Sequence, residues 1–222
     1  MLIVTSSDIH APLRLKDFEV SLVNIEEEPD YILLAGDIID KNQHFYLKKV
    51  YTIIRSFFPN SKIYSVFGNN EYIEYRNMYK KEYEFMNWID DSYVDLGDYY
   101  LIGTEGILDL PTPWMRKNIP NILELWRIRF KSIERLLKTL DDKPIIFLSH
   151  YAPTCKTVFG DPAPASVLCS RKMENLLLKC SNIRVIIHGH AHNAKIWNAK
   201  IDNAEAINVS FYIHNKPLII NL

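Results

Sequence analysis

A chain of 222 residues with 48% hydrophobic side chains can bury one large core or at most two small ones, and we expect a single domain over residues 1–222. Lys and Arg number 26 against 27 Asp and Glu, a formal charge of -1, which excludes a global field drawing the protein to nucleic acid or to an anionic membrane. The opening MLIVTSSDIH has too short an apolar run and no basic start for a signal peptide, and no later stretch approaches the ~18 to 20 apolar residues of a membrane span, so a cytoplasmic chain is expected.

In chain order, Leu2–Thr5 reads as a strand, Val20–Glu27 as a helix, Tyr31–Ala35 as a strand, Phe45–Phe57 as a helix, and Ile63–Phe67 and Tyr99–Ile102 as strands. Asp109–Asn121 is rich in Pro and polar residues and precedes a strongly helical ILELWRIRFKSIERLLKTL. It is either a flap over a site or a surface connection, and residues 105–140 as a whole are either a flap or a helical insertion. Ile145–Leu148 and Arg184–Ile187 are further strands, with a helix over Met173–Cys180 between them. The tail AEAINVSFYI and KPLIINL reads as two strands joined through HNKP. Alternation of short apolar runs with amphipathic stretches is the α/β pattern. Cys155, Cys169 and Cys180 are odd in number and form no CxxC pair, which argues against a disulfide framework or a structural zinc and for small buried hydrophobes.

The residues after successive apolar runs are alike in kind: SSDIH, GDIID, GNNE, SH and HGHAH, so five strands end in Asp, Asn or His. Strand ends are where an α/β sheet presents its ligands. Each residue alone has an ordinary explanation, as a turn or helix cap for Asp8 and Asp37, a left-handed turn for Asn69, or a satisfied core histidine for His150. Together they read differently, because five of the seven histidines fall at strand ends beside carboxylates. Mixed imidazole and carboxylate ligands suit Mn, Fe, Zn, Co or Ni better than Ca or Mg. Asp8, His10, Asp37, Asn69, His150, His190 and His192 make seven candidates, too many for one catalytic ion and about right for two divalent ions sharing a ligand.

The five motifs DIH, GDIID, GNNE, SH and GHAH, in this order and each after a strand, resemble those of the calcineurin-like metallophosphoesterases, over residues 8 to 192. The resemblance implies a four-layer αββα fold, two stacked mixed β-sheets flanked by helices, with the C-terminal hairpin in the second sheet. It implies one metal held by Asp8, His10, Asp37 and His192 and another by Asp37, Asn69, His150 and His190, with Asp37 bridging and a shared hydroxide attacking phosphorus in line. Asp40 and Glu71 then either support the centre or are solvated acids at helix starts. His188 lies two residues before His190, so strand alternation places both on one face; it is either a donor supporting the centre or a buried ring bonded to a carbonyl. His44 and His214 have no motif around them and are expected at the surface.

Most active members of this family have a histidine that protonates the leaving oxygen where this chain has Asn70, and an amide cannot do that work. The candidate catalytic residues are therefore Asn70, in place of that acid, with Glu71 and His188. The expected function is a binuclear phosphoesterase, a phosphodiesterase above all, acting on a small or nucleotide-like phosphoester. The alternatives are a non-catalytic scaffold, disfavoured because no ligand is visibly lost, and a nuclease, disfavoured by the near-neutral charge. Arg171 and Arg116 are candidates for phosphate contact, and Trp114, Tyr151 and Phe159 for stacking on a base.

Overall fold

The computed structural model describes residues 1–222. Two sheets carry the fold. In the first, β1 (Leu2–Ser6), β2 (Tyr31–Leu34) and β3 (Lys62–Ser65) run parallel, and β10 (Leu218–Asn221) pairs antiparallel with β1. In the second the order is β4 (Ser92–Asp95), β5 (Tyr100–Thr104), β6 (Ile145–Ser149), β7 (Ile183–His188), β9 (Ala204–Asn208) and β8 (Asn198–Ile201), parallel from β5 through β9 with antiparallel edges.

Period-2 alternation separates the faces of each sheet. Ile3, Leu33 and Val66 turn inward to meet Leu101, Ile146, Leu148 and Ile187 in a core between the sheets. On the outer face of the first sheet, Val4, Ile32, Leu34 and Ile63 receive Phe18 and Leu22 of α1 (Leu15–Leu22) and Leu47, Val50 and Ile54 of α2 (Tyr46–Phe57). On the outer face of the second, Ile102, Phe147 and Ile186 receive Met115 of α4 (Pro113–Asn118), Trp126, Ile133 and Leu137 of α5 (Ile122–Thr139) and Met173 of α6 (Arg171–Leu177). Two short helices, α3 (Arg76–Glu82) and α7 (Phe211–His214), complete the set. The result is the expected αββα arrangement, helices outside and two mixed sheets within. No helix is long and apolar enough to cross a membrane.

Several expectations need correction. The tail forms no hairpin: β9 stays in the second sheet, α7 turns the chain across, and β10 joins the first sheet beside β1. A strand pattern does not name its neighbour, and the turn supplied by Phe211–His214 redirects the chain. Helix α1 begins five residues before the expected Val20–Glu27 and ends at Leu22, because the face that packs inward is set by Phe18 and Leu22, which are buried, while Val20 and Val23 are exposed. Edge strands β4 and β8 went unread, since their exposed polar residues carry little apolar signal. Cys155 and Cys169 form a disulfide, and Cys180 is free. The loop between β6 and α6 doubles back through an Ala152 to Cys169 bridge and brings their Cα atoms to 5.2 Å, within disulfide range, which spacing alone does not reveal. His44 and His214 are half-buried rather than superficial, bonded to the Tyr83 hydroxyl at 2.7 Å and the Asn208 carbonyl at 2.8 Å.

The segment expected as flap or insertion divides. Helix α5 belongs to the outer layer, whereas α4, opened by Thr112 accepting from Met115 N and by Pro113 at its first position, stands over a cavity beside the strand ends.

Candidate metal centre

The C-terminal ends of β1, β2 and β3 meet those of β6 and β7, and short backbone bonds lock the loops together. Asp8 N donates to Gly36 O at 3.0 Å, His10 N to Asp37 O at 3.0 Å and Gly189 N to His150 O at 3.1 Å. Asp8, His10, Asp37 and His190 all adopt positive φ, at 56°, 45°, 49° and 69°. Side-chain-bearing residues hold this conformation at a cost of ~1 to 3 kcal/mol each, which persists where surrounding structure enforces it. The motif glycines are steric necessities. A Cβ on Gly68 would lie 2.2 Å from Asp37 Oδ1, and one on Gly189 2.2 Å from Ser7 Oγ and 2.6 Å from Asp8 Oδ2.

Asp37 is the hinge of the cluster. Its Oδ2 lies 3.6 Å from His10 Nε2 and its Oδ1 3.6 Å from His150 Nε2. Asp8 accepts from Ser7 Oγ at 2.6 Å through Oδ2, and its Oδ1 lies 3.1 Å from His192 Nε2. Asn69 Oδ1 sits 3.1 Å from His150 Nε2, and the His190 ring lies 5.1 Å from that of His150. The structure thus brings all seven sequence candidates to one place. Two groups have ligand atoms all within 4.8 Å of one another: Asp8, His10 and His192, and Asp8, Asp37 and His150. His190 Nε2 donates to Val167 O at 3.2 Å, so Nδ1 is the nitrogen left for another partner.

The donor set fits a cation. His150 Nδ1 donates to Ala35 O at 2.9 Å, which leaves a lone pair on Nε2 of the neutral ring, facing the Asn69 oxygen acceptor. His10 Nε2 is buried without a hydrogen-bond partner. Electron-pair donors turned toward one another around two carboxylates are satisfied by a shared positive charge, and nitrogen with oxygen ligands favours transition metals.

Charge is finely set here. Burial would raise the Asp8 pKa, but His192, by charge and by hydrogen bond, with His150 and His10, holds it well below the usual carboxylate range. Burial opposes protonation of His150 and His192, yet Asp37 acting mainly on the first and Asp8 on the second raise both above the ordinary histidine value. His190 is pushed down to about 4 by burial and by His150.

Four residues around the cluster take places the sequence did not decide. Asp40 Oδ1 lies 3.7 Å behind His10 Nδ1, on the far side of that ring from Asp37, and starts no helix. Glu71 is no solvated acid: it is fully buried, its two oxygens accepting four backbone N–H groups, from Gly68, Asp37, Ile38 and Ile39, and it ties the loop after β2 to the loop after β3. Burial, then Asp37, push its pKa up to about 7 against the Gly68 and Ile39 donors and the charge of His150. Strand alternation ends at His188, so it does not share a face with His190 as expected. His188 Nδ1 donates to Gly189 O at 3.0 Å and Nε2 accepts from Thr157 Oγ1 at 2.6 Å, a neutral buried ring whose pKa burial lowers to about 4. Asn70 turns its amide onto Asp37.

Arg171 is not brought to the cluster; it pairs with Asp109 at 2.8 Å at the start of α6, 67% exposed. Arg116 likewise turns to Pro111 O, and Phe159 is exposed. Trp114 and Tyr151 do line the cavity beside Asn69. Sequence reasoning missed Tyr212, whose ring stacks on His192 at 4.5 Å and meets His10 edge-on. Its only signal was an aromatic in a segment read as a strand. Ser7, within SSDIH, was also unassigned.

The family model described as calcineurin-like phosphoesterase matches residues 1–194. Among solved structures, phosphopantetheinyl hydrolase from Mycobacterium tuberculosis superposes with a TM-score of 0.68 at 14% identity, over 94% of this chain and 88% of that one. A dimetal phosphatase from Danio rerio superposes with a TM-score of 0.65 at 12% identity, over 94% of this chain and 86% of that one. At such identities the likeness shows the fold alone. No curated protein matches the chain.

Proposed function

Since the chain belongs to the calcineurin-like phosphoesterases, a family of metal-dependent hydrolases that bind two divalent ions, we propose that Asp8, His10, Asp37 and His192 hold one ion, that Asp37, Asn69, His150 and His190 hold the other, and that the protein is a phosphodiesterase. The observation that carries this reading is Asp37, which presents one oxygen to His10 and the other to His150 at 3.6 Å each, the disposition of a bridging carboxylate. Bound ions of this kind lower the pKa of water to make a nucleophile and neutralise charge on phosphoryl oxygens. Mn suits the set, as do Fe, Zn, Co and Ni.

The chain's own residues prepare the ligands. Ala35 O fixes the His150 tautomer, Val167 O fixes that of His190, and Asp40 stands behind His10. Asn70 holds Asp37 and carries no transferable proton, which favours substrates whose leaving group departs as a stable anion, such as an aryloxide. Near-neutral overall charge supports a small or nucleotide-like phosphoester over long nucleic acid.

A panel of an aryl monoester, a bis-aryl diester and a cyclic nucleotide, each with added Mn, decides the class: the diester is expected to turn over fastest. Monoester preference would overturn the diesterase reading, and silence with Mn and with Fe, Zn, Co and Ni in its place would favour the scaffold. We place the protein in the cytoplasm, where cellular thiols would hold the Cys155–Cys169 pair reduced although its geometry permits the disulfide; alkylation of fresh lysate should find both thiols free, and a fully oxidised pair would move the protein to an oxidising compartment.

A further inference from the structure

Beneath α4 and the first half of α5 lies a cavity of about 240 Å³ that the candidate ligands border only at Asn69. Tyr72, Trp114, Ile122, Leu125 and Trp126 supply most of its apolar wall. Asn69, Tyr72 and Trp114 also line an adjoining cavity that contains Asn70, Lys41 and His190, so the two spaces meet beside the metal centre. The Tyr72 and Trp114 rings stand 5.7 Å apart at that junction, and Trp114 is 48% exposed.

Most of the buried charge in the cavity wall is already matched; Glu74, exposed at the rim, has no ion-pair partner, and Arg76 Nε is buried without a hydrogen-bond partner. Glu105 Oε2 takes Arg76 Nη2 at 2.8 Å and Arg129 Nη1 at 2.7 Å, and its Oε1 accepts from the Tyr151 hydroxyl at 3.2 Å. Arg129 Nε also bonds both oxygens of Asp91 at 3.0 Å. Glu71 is saturated by backbone donors. An anionic group entering this space would lose its water and meet guanidinium groups already held by Glu105 and Asp91, with the Glu74 carboxylate at the rim opposing it and a single Arg76 N–H in its favour, whereas an apolar ring would exchange water for aromatic and aliphatic walls.

We propose that this cavity receives the organic arm of the substrate that stays on phosphorus, and that it selects a largely apolar arm without a negative charge, such as an aromatic ring. The inference rests on the phosphodiesterase reading. The retained arm is meant because Asn70, read as standing beside the leaving oxygen, lines the adjoining cavity and not this one.

Three 4-nitrophenyl phosphodiesters with one common leaving group test it, the second arm being methyl, phenyl or the anionic 4-carboxyphenyl. The phenyl ester is expected to exceed the methyl ester about 10- to 100-fold in kcat/KM, chiefly through KM, and the carboxyphenyl ester to fall about tenfold or more below phenyl. Ile122→Trp, which fills the cavity, should bring the phenyl-to-methyl ratio to about one. Equilibrium dialysis of nitrobenzene against metal-free protein should find a saturable site in wild type that the variant lacks. If the variant does not fold, the wild-type series and the dialysis decide alone. Equal kcat/KM across the esters, or no saturable nitrobenzene binding, overturns the cavity assignment and leaves the phosphodiesterase reading standing. No turnover of any ester overturns that reading, and the assignment with it.

Discussion

Asn70 grips Asp37 twice, its backbone N–H reaching Oδ1 and its side-chain Nδ2 reaching Oδ2, both at 2.7 Å. Its own side-chain oxygen accepts from Lys41 N at 2.9 Å. Asn70, which we propose stands where the family's general acid stands, therefore also aims the carboxylate between the two groups of imidazoles. Asn70→Ala should weaken metal binding or activity about 10- to 100-fold, as loss of a group that orients a ligand does. Asn70→His should raise the ratio of alkyl to aryl ester hydrolysis, because an imidazolium can protonate an alkoxide, while the absolute aryl rate falls for want of the amide's grip. Parallel rates on both ester classes, with an unchanged ratio, would show that the position never faces the leaving oxygen.

The place of Asp37 between His10 and His150 is what the proposal of a shared ligand rests on. Wild-type protein reconstituted with Mn should carry close to two ions, and Asp37→Ala should carry neither. Metal analysis by mass spectrometry reads this directly, and one tightly held ion in the variant would contradict bridging.

Glu71 predicts a stability effect rather than a catalytic one. Glu71→Gln would set an amide NH₂ against backbone N–H donors in a fully buried site, at a cost of about 3 kcal/mol and a Tm roughly 6 to 12 °C lower. Thermal unfolding of metal-free protein checks it. An unchanged Tm would mean the loops after β2 and β3 do not depend on this carboxylate.

Metal loading should depend on pH with a definite sign. In metal-free protein the raised pKa values of His150 and His192 give stability that is fully present below about 6.5 and lost as pH rises through the folded values. Metal ligation needs both rings neutral, so it competes with those protons and weakens as pH falls. His190, near 4, stays neutral throughout. The rise in Tm produced by Mn should therefore be larger at pH 8 than at pH 6; a rise that is flat across this range would remove these histidines from the ligand set.

Much of the site was legible in the sequence for one physical reason. A strand buried on both faces must be a continuous apolar run, so Leu2–Ser6, Tyr31–Leu34, Ile145–Ser149 and Ile183–His188 show where they stop, and the residues after each stop form the polar surface at the sheet's end. Asp8, Asp37, His150 and His190 could be gathered from that rule without coordinates. The sequence by itself also determined the glycines of GDIID, GNNE and HGHAH, though not that Gly68 and Gly189 are required because Asp37, Ser7 and Asp8 occupy the space of a Cβ.

Tertiary structure alone decided the rest, because each remaining feature depends on a partner distant along the chain. Leu218–Asn221 could have paired with either sheet, and only packing set it beside Leu2–Ser6. Cys155 and Cys169 met because their loop returned on itself, and Glu71 was internalised because the loop after β2 offered it three N–H groups. The cavity under α4 and α5 exists because residues near 72, 114 and 122 to 126 converge, and the pairing of its buried guanidinium groups is settled by Glu105 standing between Arg76 and Arg129. Periodicity reports which face of an element is buried; it carries no information about which face of which other element will cover it.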